Sequence, residues 1–213
     1  MQVIEIFQSI DGEGKRAGKP TTFIRLAGCN LRCKYCDSSY AFNMADGTTM
    51  TPADIVAKVK DIGIPSVTVT GGEPLVHPNI KDLLELLDDA GFDINVETNG
   101  TINPANYHYL HNVWFTVDYK CPSSGEEKLM CTYSFETLRE HDVLKFVVGS
   151  QEDLSCAADI LRRYKPYSEV YFSPVFGYDP NNIVQFLLDS QLYSCKVQLQ
   201  LHKYIWPADA RGV

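Results

Sequence analysis

Three cysteines, Cys29, Cys33 and Cys36, stand close together with three and then two residues between them. Thiolates are soft donors, and thiols spaced this tightly point to zinc or to an iron–sulfur cluster. Their number is the informative part. A structural zinc site closes with four ligands, and a ferredoxin-type cluster takes four cysteines. Three thiols leave one metal position open, as a catalytic centre requires. The next thiol, Cys121, lies far along the chain. A metal-free or zinc-bearing loop is the plainer alternative. A second candidate is Gly71-Gly72-Glu73-Pro74, whose glycine pair lets backbone come close to a ligand.

The elements that must position these residues follow from periodicity. Strand patterns run through Val3–Phe7, Thr21–Leu26, Ser66–Thr70, Ile94–Thr98, Val113–Val117, Val143–Val148, Glu169–Phe172 and Lys196–Leu201. Asp11–Gly14 reads as a turn. Thr51-Pro52 marks a helix start, followed by Ile55, Val56, Val59 and Ile62 at helical spacing. Further helices carry Ile80, Leu83, Leu84 and Leu87, then residues 152–164, then Ile183, Phe186 and Leu187. Strand and helix alternate, which predicts an α/β fold with a largely parallel sheet. About six units fall short of the eight in a full barrel, so an open partial (β/α)6-type barrel is expected. Residues 122–133 are the least regular and read as a lid or insertion.

The 213 residues, 45% of them hydrophobic, suit a single domain spanning 1–213. No apolar run reaches the ~20 residues that cross a bilayer, and no basic-then-apolar leader opens the chain. A cytoplasmic, membrane-free protein is the expectation. Seven cysteines, an odd number with three clustered, argue for a reducing compartment rather than a disulfide framework. Of the scattered ones, Cys156 and Cys195 read as small buried apolar residues, while Cys121 and Cys131 are candidates for a second site. The net charge of −8 argues against a nucleic-acid surface. Yet Lys15, Arg16, Lys19, Arg25, Arg32 and Lys34 give that segment +6 with no acid, leaving −14 for the remainder. Such a stretch beside the cysteines would steer an acidic electron donor; inward-pointing or merely solvated charges are the competing reading.

The Cys29-x₃-Cys33-x-Tyr35-Cys36 pattern resembles the cluster loop of the radical S-adenosylmethionine enzymes. The resemblance implies that Cys29, Cys33 and Cys36 hold a [4Fe–4S] cluster whose fourth iron takes the methionine group of S-adenosylmethionine. It also implies cofactor contacts at Tyr35, Cys36, Asp37, Gly71, Gly72 and Glu73, at the ribose-facing pair Glu97 and Asn99, and at Lys120. Solvated turns are the alternative for Glu97 and Asn99, and water for Lys120.

Phe7–Pro20, Phe23-x-Arg25-Leu-x-Gly-Cys29, Cys36-Asp-Ser38 and Leu199-Gln-Leu-His-Lys203 together resemble, within that superfamily, the 7-carboxy-7-deazaguanine synthases of the queuosine and deazapurine pathway. The resemblance implies ring contraction of 6-carboxy-5,6,7,8-tetrahydropterin with loss of ammonia, dependence on Mg²⁺, and a homodimer served by a flavodoxin or ferredoxin. Substrate would meet Ile10, Asp11, Gly12, Glu13, Arg25, Thr70 and His202, with Arg25 and Ser38 nearest the chemistry and Ser38 at the magnesium position. Guanidinium–carboxylate pairing suits Arg25, although a Glu13–Arg25 salt bridge and a structural His202 remain open readings. Two departures, Ile10-Asp11 for Leu-Gln and Ser173-Pro174 for Gln-Pro, put individual contacts in question, and the tail from Tyr204 to Val213 has no assigned role. A glycyl-radical-enzyme activase and a non-catalytic iron–sulfur or zinc module are the rivals. The first needs neither Asp11–Gly14 nor Ser38, and the second leaves Gly71–Pro74 unexplained.

Overall fold

Apolar and polar residues alternate along the strands, and that alternation decides the architecture. The computed structural model describes residues 1–207 and 210–213. Its strands are β1 (Gln2–Ile10), β2 (Pro20–Leu26), β3 (Thr48–Thr49), β4 (Ser66–Gly71), β5 (Asp93–Thr98), β6 (Val113–Lys120), β7 (Val143–Val148), β8 (Glu169–Pro174) and β9 (Lys196–Val197). They form one nine-stranded sheet in the order β3-β1-β2-β4-β5-β6-β7-β8-β9. From β2 onward the neighbours run parallel, while β1 lies antiparallel between β2 and β3. The edges β3 and β9 do not meet, so the sheet is an open partial barrel.

One face of this sheet is apolar. Ile24, Leu26, Val67, Val69, Ile94, Val96, Phe115, Val117, Leu144, Phe146 and Phe172 are buried in the core. Successive side chains on a strand point to opposite faces. The residues between them, Arg25, Thr70, Glu97, Asp118, Lys120, Lys145 and Ser173, therefore form a polar inner surface. Register sets Arg25 beside Thr70, Glu97 beside Thr116 and Asp118 beside Lys145. The helices α1 (Pro52–Ile62), α2 (Ile80–Asp89), α3 (Gln151–Tyr164) and α4 (Pro180–Asp189) add Val59, Leu84, Leu154 and Ile183, among others, to the core. A reciprocal cap opens α1: Asp54 N donates to Thr51 Oγ1 at 3.1 Å, and Thr51 N donates to Asp54 Oδ2 at 3.3 Å.

Strand and helix do not alternate throughout. The crossovers β5→β6 and β6→β7 carry short 3₁₀ turns, beginning at Pro104 and Pro122 among others, in place of the helix that strict alternation calls for. The segment read as a lid is braced instead. Lys34 N donates to Ser124 O at 3.0 Å, Arg32 N to Glu126 Oε1 at 2.8 Å, and Ser123 N to Asp153 Oδ1 at 2.9 Å. These bonds make it a buttress between the cysteine loop and the first turn of α3. The final strand is also shorter than its sequence suggests. It ends at Val197, after which Leu201 N donates to Gly12 O at 3.0 Å and a short α5 (His202–Ile205) follows. His202 thus heads a helix rather than ending a strand.

Candidate active site

A cleft of about 720 Å³ is lined by the inner face of the sheet, the cysteine loop and the end of the chain. Leu26 ends β2, and Cys29, Cys33 and Cys36 follow on a loop that lines the cleft, all three half-buried. The glycine pair is needed for this loop to sit where it does. Gly71 has φ 136°, and a Cβ there would stand 2.1 Å from Leu26 O; one on Gly72 would stand 2.1 Å from Gly28 O. Gly72 N donates to Leu26 O at 2.9 Å and Glu73 N to Gly28 O at 2.7 Å. The close approach is therefore to the loop's own backbone.

Glu73 turns away from the cleft and is fully buried behind its wall. Its carboxylate accepts from Asn99 N at 2.6 Å, Thr98 Oγ1 at 2.8 Å and Leu75 N at 2.9 Å. Burial outweighs these donors and pushes the group up to about 7. Asn99, fixed in this way, points Nδ2 at Cys29 Sγ at 3.7 Å, and Leu31 N reaches the same sulfur at 3.4 Å. Burial raises the Cys33 thiol to about 11 and raises Cys36 as well. Bound iron would offset that cost. None of Cys121, Cys131, Cys156 and Cys195 lines the cleft. Three soft donors on one loop and one cleft, with N–H groups aimed at Cys29 Sγ, are a donor set that fits a [4Fe–4S] cluster with one open iron.

Beside the thiols, Ser38 Oγ donates to Asp37 Oδ1 at 3.0 Å, and Lys203 Nζ lies 3.4 Å from Asp37 Oδ2. Burial works to raise Asp37, but Lys203, Ser38 and His202 together hold it below the usual carboxylate range. The Tyr35 hydroxyl is buried without a hydrogen-bond partner among the described residues. Lys120 pairs with Asp118 Oδ2 at 2.5 Å. Arg25 donates through Nε to Glu5 Oε1 at 2.8 Å across the β1–β2 pair, and lies near the Phe7 and Tyr40 rings. Its strand-to-strand salt bridge is thus with Glu5 and not with Glu13. The Nη groups of Arg25 have no hydrogen-bond partner among the described residues.

Deeper in, Glu13 is held by Lys145 Nζ at 2.9 Å, Gln198 Nε2 at 3.1 Å and Gln200 Nε2 at 2.6 Å. Lys145 also lies 3.0 Å from Asp118 Oδ1. Burial opposes its charge, yet Asp118, Glu13 and Glu97 more than offset this and hold the ammonium well above the ordinary lysine range. Thr70 Oγ1 donates to Glu97 Oε2 at 2.8 Å, which puts Glu97 in this deep group, while Asn99 stands with the thiols. Gly12 is needed because a Cβ there would meet His202 Nδ1 at 2.2 Å. Asp11 points away from this group. It receives Arg16 Nε and Thr68 Oγ1 at 2.8 Å each, while Arg16 also donates to Asp93 O at 2.7 Å and Val67 O at 3.0 Å. The Ile10-Asp11 departure therefore builds the lower layer of the floor: Arg16 lies over Trp114, which packs with Val143 and Tyr171.

The +6 segment does not form one patch. Arg16 is buried in that floor, Lys19 pairs with Asp93 at 3.3 Å and Lys15 with Glu169 at 3.4 Å. These sit at the amino ends of the parallel strands, opposite the thiols. Only Arg32 and Lys34 are exposed beside the cysteines. Cys121 is the buried thiol, whereas Cys156 and Cys195 are half-buried, and none of the scattered thiols belongs to a metal-binding group among the described residues. Arg211, Gly212 and Val213 line the cleft, with Arg211 over the Tyr40 ring at 4.0 Å. Residues 208 and 209 of that tail lie outside the described residues.

Sequence reading did not find Lys145, Asp118, Gln198 or Gln200. A lysine inside the apolar run Val143–Val148 was one available signal, and two glutamines spaced two apart on one face were another.

Residues 23–144 match the family model described as the radical SAM superfamily. The chain is 43% identical to the 7-carboxy-7-deazaguanine synthase of Clostridium acetobutylicum, covering 100% of this chain and 99% of that protein. It is 38% identical to the 7-carboxy-7-deazaguanine synthase of Methanospirillum hungatei, covering 96% and 85%. Its fold is similar to the crystal structure of QueE from Escherichia coli, with TM-score 0.73, 23% identity and 93% of each chain covered.

Proposed function

We propose, because the chain belongs to the 7-carboxy-7-deazaguanine synthase family of the radical SAM superfamily, that its cleft contracts the ring of 6-carboxy-5,6,7,8-tetrahydropterin to 7-carboxy-7-deazaguanine with release of ammonia. The enzyme is a radical S-adenosylmethionine carbon–nitrogen lyase. The observation that carries the residue assignment is that a single cleft joins three thiols to a deep carboxylate, Glu13, with a guanidinium, Arg25, also on its wall.

Cys29, Cys33 and Cys36 would hold the [4Fe–4S] cluster, and Gly71, Gly72, Asn99, Tyr35 and Lys120 would surround S-adenosylmethionine. When bound, these two groups supply a reductively generated carbon radical that takes one hydrogen atom from the substrate and later returns it. The protein's part is position and dryness. Glu13 accepts from the N–H donors on the pterin's amino edge. Arg25, anchored at Nε by Glu5, offers its Nη donors to the substrate carboxylate. Thr70, Glu97 and His202 line the wall between. The floor built by Asp11, Arg16 and Trp114 excludes water from the amino end of the barrel.

Ser38 and the neighbouring Asp37 carboxylate are hard oxygen donors at the mouth and suit Mg²⁺, with substrate oxygens and waters completing its shell. Ser38→Ala is expected to weaken the Mg²⁺ response of turnover with iron and sulfide content unchanged. Unaltered Mg²⁺ dependence would remove Ser38 from that role. An acidic flavodoxin- or ferredoxin-type donor would meet Arg32 and Lys34, and a homodimer is the family expectation. No described helix is long and apolar enough to cross a membrane.

The test is anaerobic turnover of the reconstituted protein with dithionite, S-adenosylmethionine, Mg²⁺ and 6-carboxytetrahydropterin, followed by mass spectrometry. The expected product is lighter than substrate by one ammonia, without stoichiometric 5′-deoxyadenosine. Cleavage of S-adenosylmethionine without that product would move the assignment to another substrate within the superfamily.

A further inference from the structure

We propose that Lys145 is a positioning residue that acts through Glu13 and so sets the enzyme's selectivity for the amino edge of its substrate. The inference rests on the reading of Glu13 as the group that meets that edge.

Glu13 stands on a turn between two glycines, and neither flanking residue offers a side chain to fix its carboxylate. What fixes it comes from far away in the chain. Lys145 arises inside β7 and is buried, with its ammonium shared between Glu13 Oε2 and Asp118 Oδ1. Gln198 Nε2 bonds the same Glu13 oxygen, and its own Oε1 accepts from Gly14 N at 2.8 Å. Oε2 is thereby occupied from two sides. Oε1 has one donor, Gln200, on a half-buried segment that has already left the sheet.

A carboxylate has about four acceptor positions. Two donors hold one oxygen, so the carboxylate's direction is set from the protein side, and the other oxygen is the one an incoming N–H donor can take over from Gln200. Of the two holders of Oε2, Lys145 is the charged one, and it is the one rooted mid-strand. A charge-assisted bond is roughly twice as strong as a neutral one. The other charged groups that share this part of the cleft with Glu13 include Glu97 on β5, Asp118 and Lys120 on β6, Asp11 in the first turn and His202 on the last helix. Lys120 is already paired with Asp118, so Lys145 is the ammonium that reaches Glu13.

The experiment measures anaerobic equilibrium binding to the reconstituted enzyme. The probes are 6-carboxytetrahydropterin and the same compound lacking its 2-amino group. Lys145→Met is expected to weaken substrate binding by roughly 10- to 100-fold while barely affecting the analogue, so that selectivity collapses. Glu13→Gln should collapse it to the same level, and the double variant should be no worse than Glu13→Gln alone. Lys145→Arg should restore most of the selectivity. Where Lys145→Met does not fold, Lys145→Gln, which removes the charge but keeps a donor, is read in the same way. Wild-type selectivity in the Lys145 variant beside a collapsed Glu13→Gln overturns this inference and leaves the reading of Glu13 standing. Wild-type selectivity in Glu13→Gln overturns both.

Discussion

The mouth and the floor of the cleft are built in opposite ways. At the mouth, three thiols come from one loop and are separated by a few residues. On the floor, Glu13 meets Lys145, Gln198 and Gln200 across separations of 132, 185 and 187 residues. The mouth is a local motif that needs the fold only to aim it. The floor exists only once the first turn, β7 and the end of the chain have met. Damage at the mouth should therefore remove chemistry and spare the fold, whereas damage at the floor should reach stability as well as substrate recognition.

The largest effect expected from this contrast is at the mouth. Cys33→Ala should abolish cluster assembly and turnover, because two thiols cannot hold the cluster, while the urea midpoint of the metal-free protein stays near wild type. Iron and sulfide analysis, the visible absorbance of the reconstituted protein and a denaturation curve check it. A large loss of stability in the metal-free variant would show that the loop is not separable from the fold.

The same contrast explains what could be read from the chain alone. Strand alternation was legible wherever a strand had a buried face, so the open parallel sheet and the helices at Thr51–Ile62 and residues 152–164 follow from the sequence. β9 was not, because Gln198 and Gln200 continue the alternating pattern after the backbone has left the sheet to reach Glu13 and Gly12. The thiol loop was legible through spacing. Lys145 was hidden because a buried ammonium is intelligible only with its partners, and these lie on other strands and turns. The basic run from Lys15 to Lys34 misled for a related reason: charge adjacent in sequence was divided between opposite ends of the barrel.

A second prediction sharpens the comparison at the floor. Arg16→Met removes the cation from buried Asp11 and leaves the carbonyls of Asp93 and Val67 without their guanidinium donor. Breaking one side of a buried pair costs about 3–5 kcal/mol. The urea midpoint should fall accordingly, while the protein that remains folded binds iron as the wild type does. A loss below about 1 kcal/mol, typical of an exposed pair, would mean that the floor tolerates water and that the two ends of the cleft differ less than their construction implies.

The smallest effect concerns Glu73, which ties the cysteine loop to the end of β5. Burial raises it from 4.5 to about 7 in the folded protein, despite three donors. Between those values the folded state carries a proton that the unfolded state has lost. Folding is therefore favoured at the acid end of this window, and stability falls as pH rises through it. At about 1.4 kcal/mol per unit, the wild type should lose up to about 3 kcal/mol between pH 4.5 and pH 7 from this group alone. Asp11 and Glu97 are also raised by burial, but they titrate equally in a Glu73→Gln variant and cancel in the difference. That variant has no such titration, so its stability should gain on the wild type across the window, whatever constant penalty the amide brings against Asn99 N. Urea curves of both metal-free proteins at several pH values read the difference directly. Parallel pH profiles would mean that the three donors keep Glu73 ionised, making the wall behind the thiols as polar as the floor.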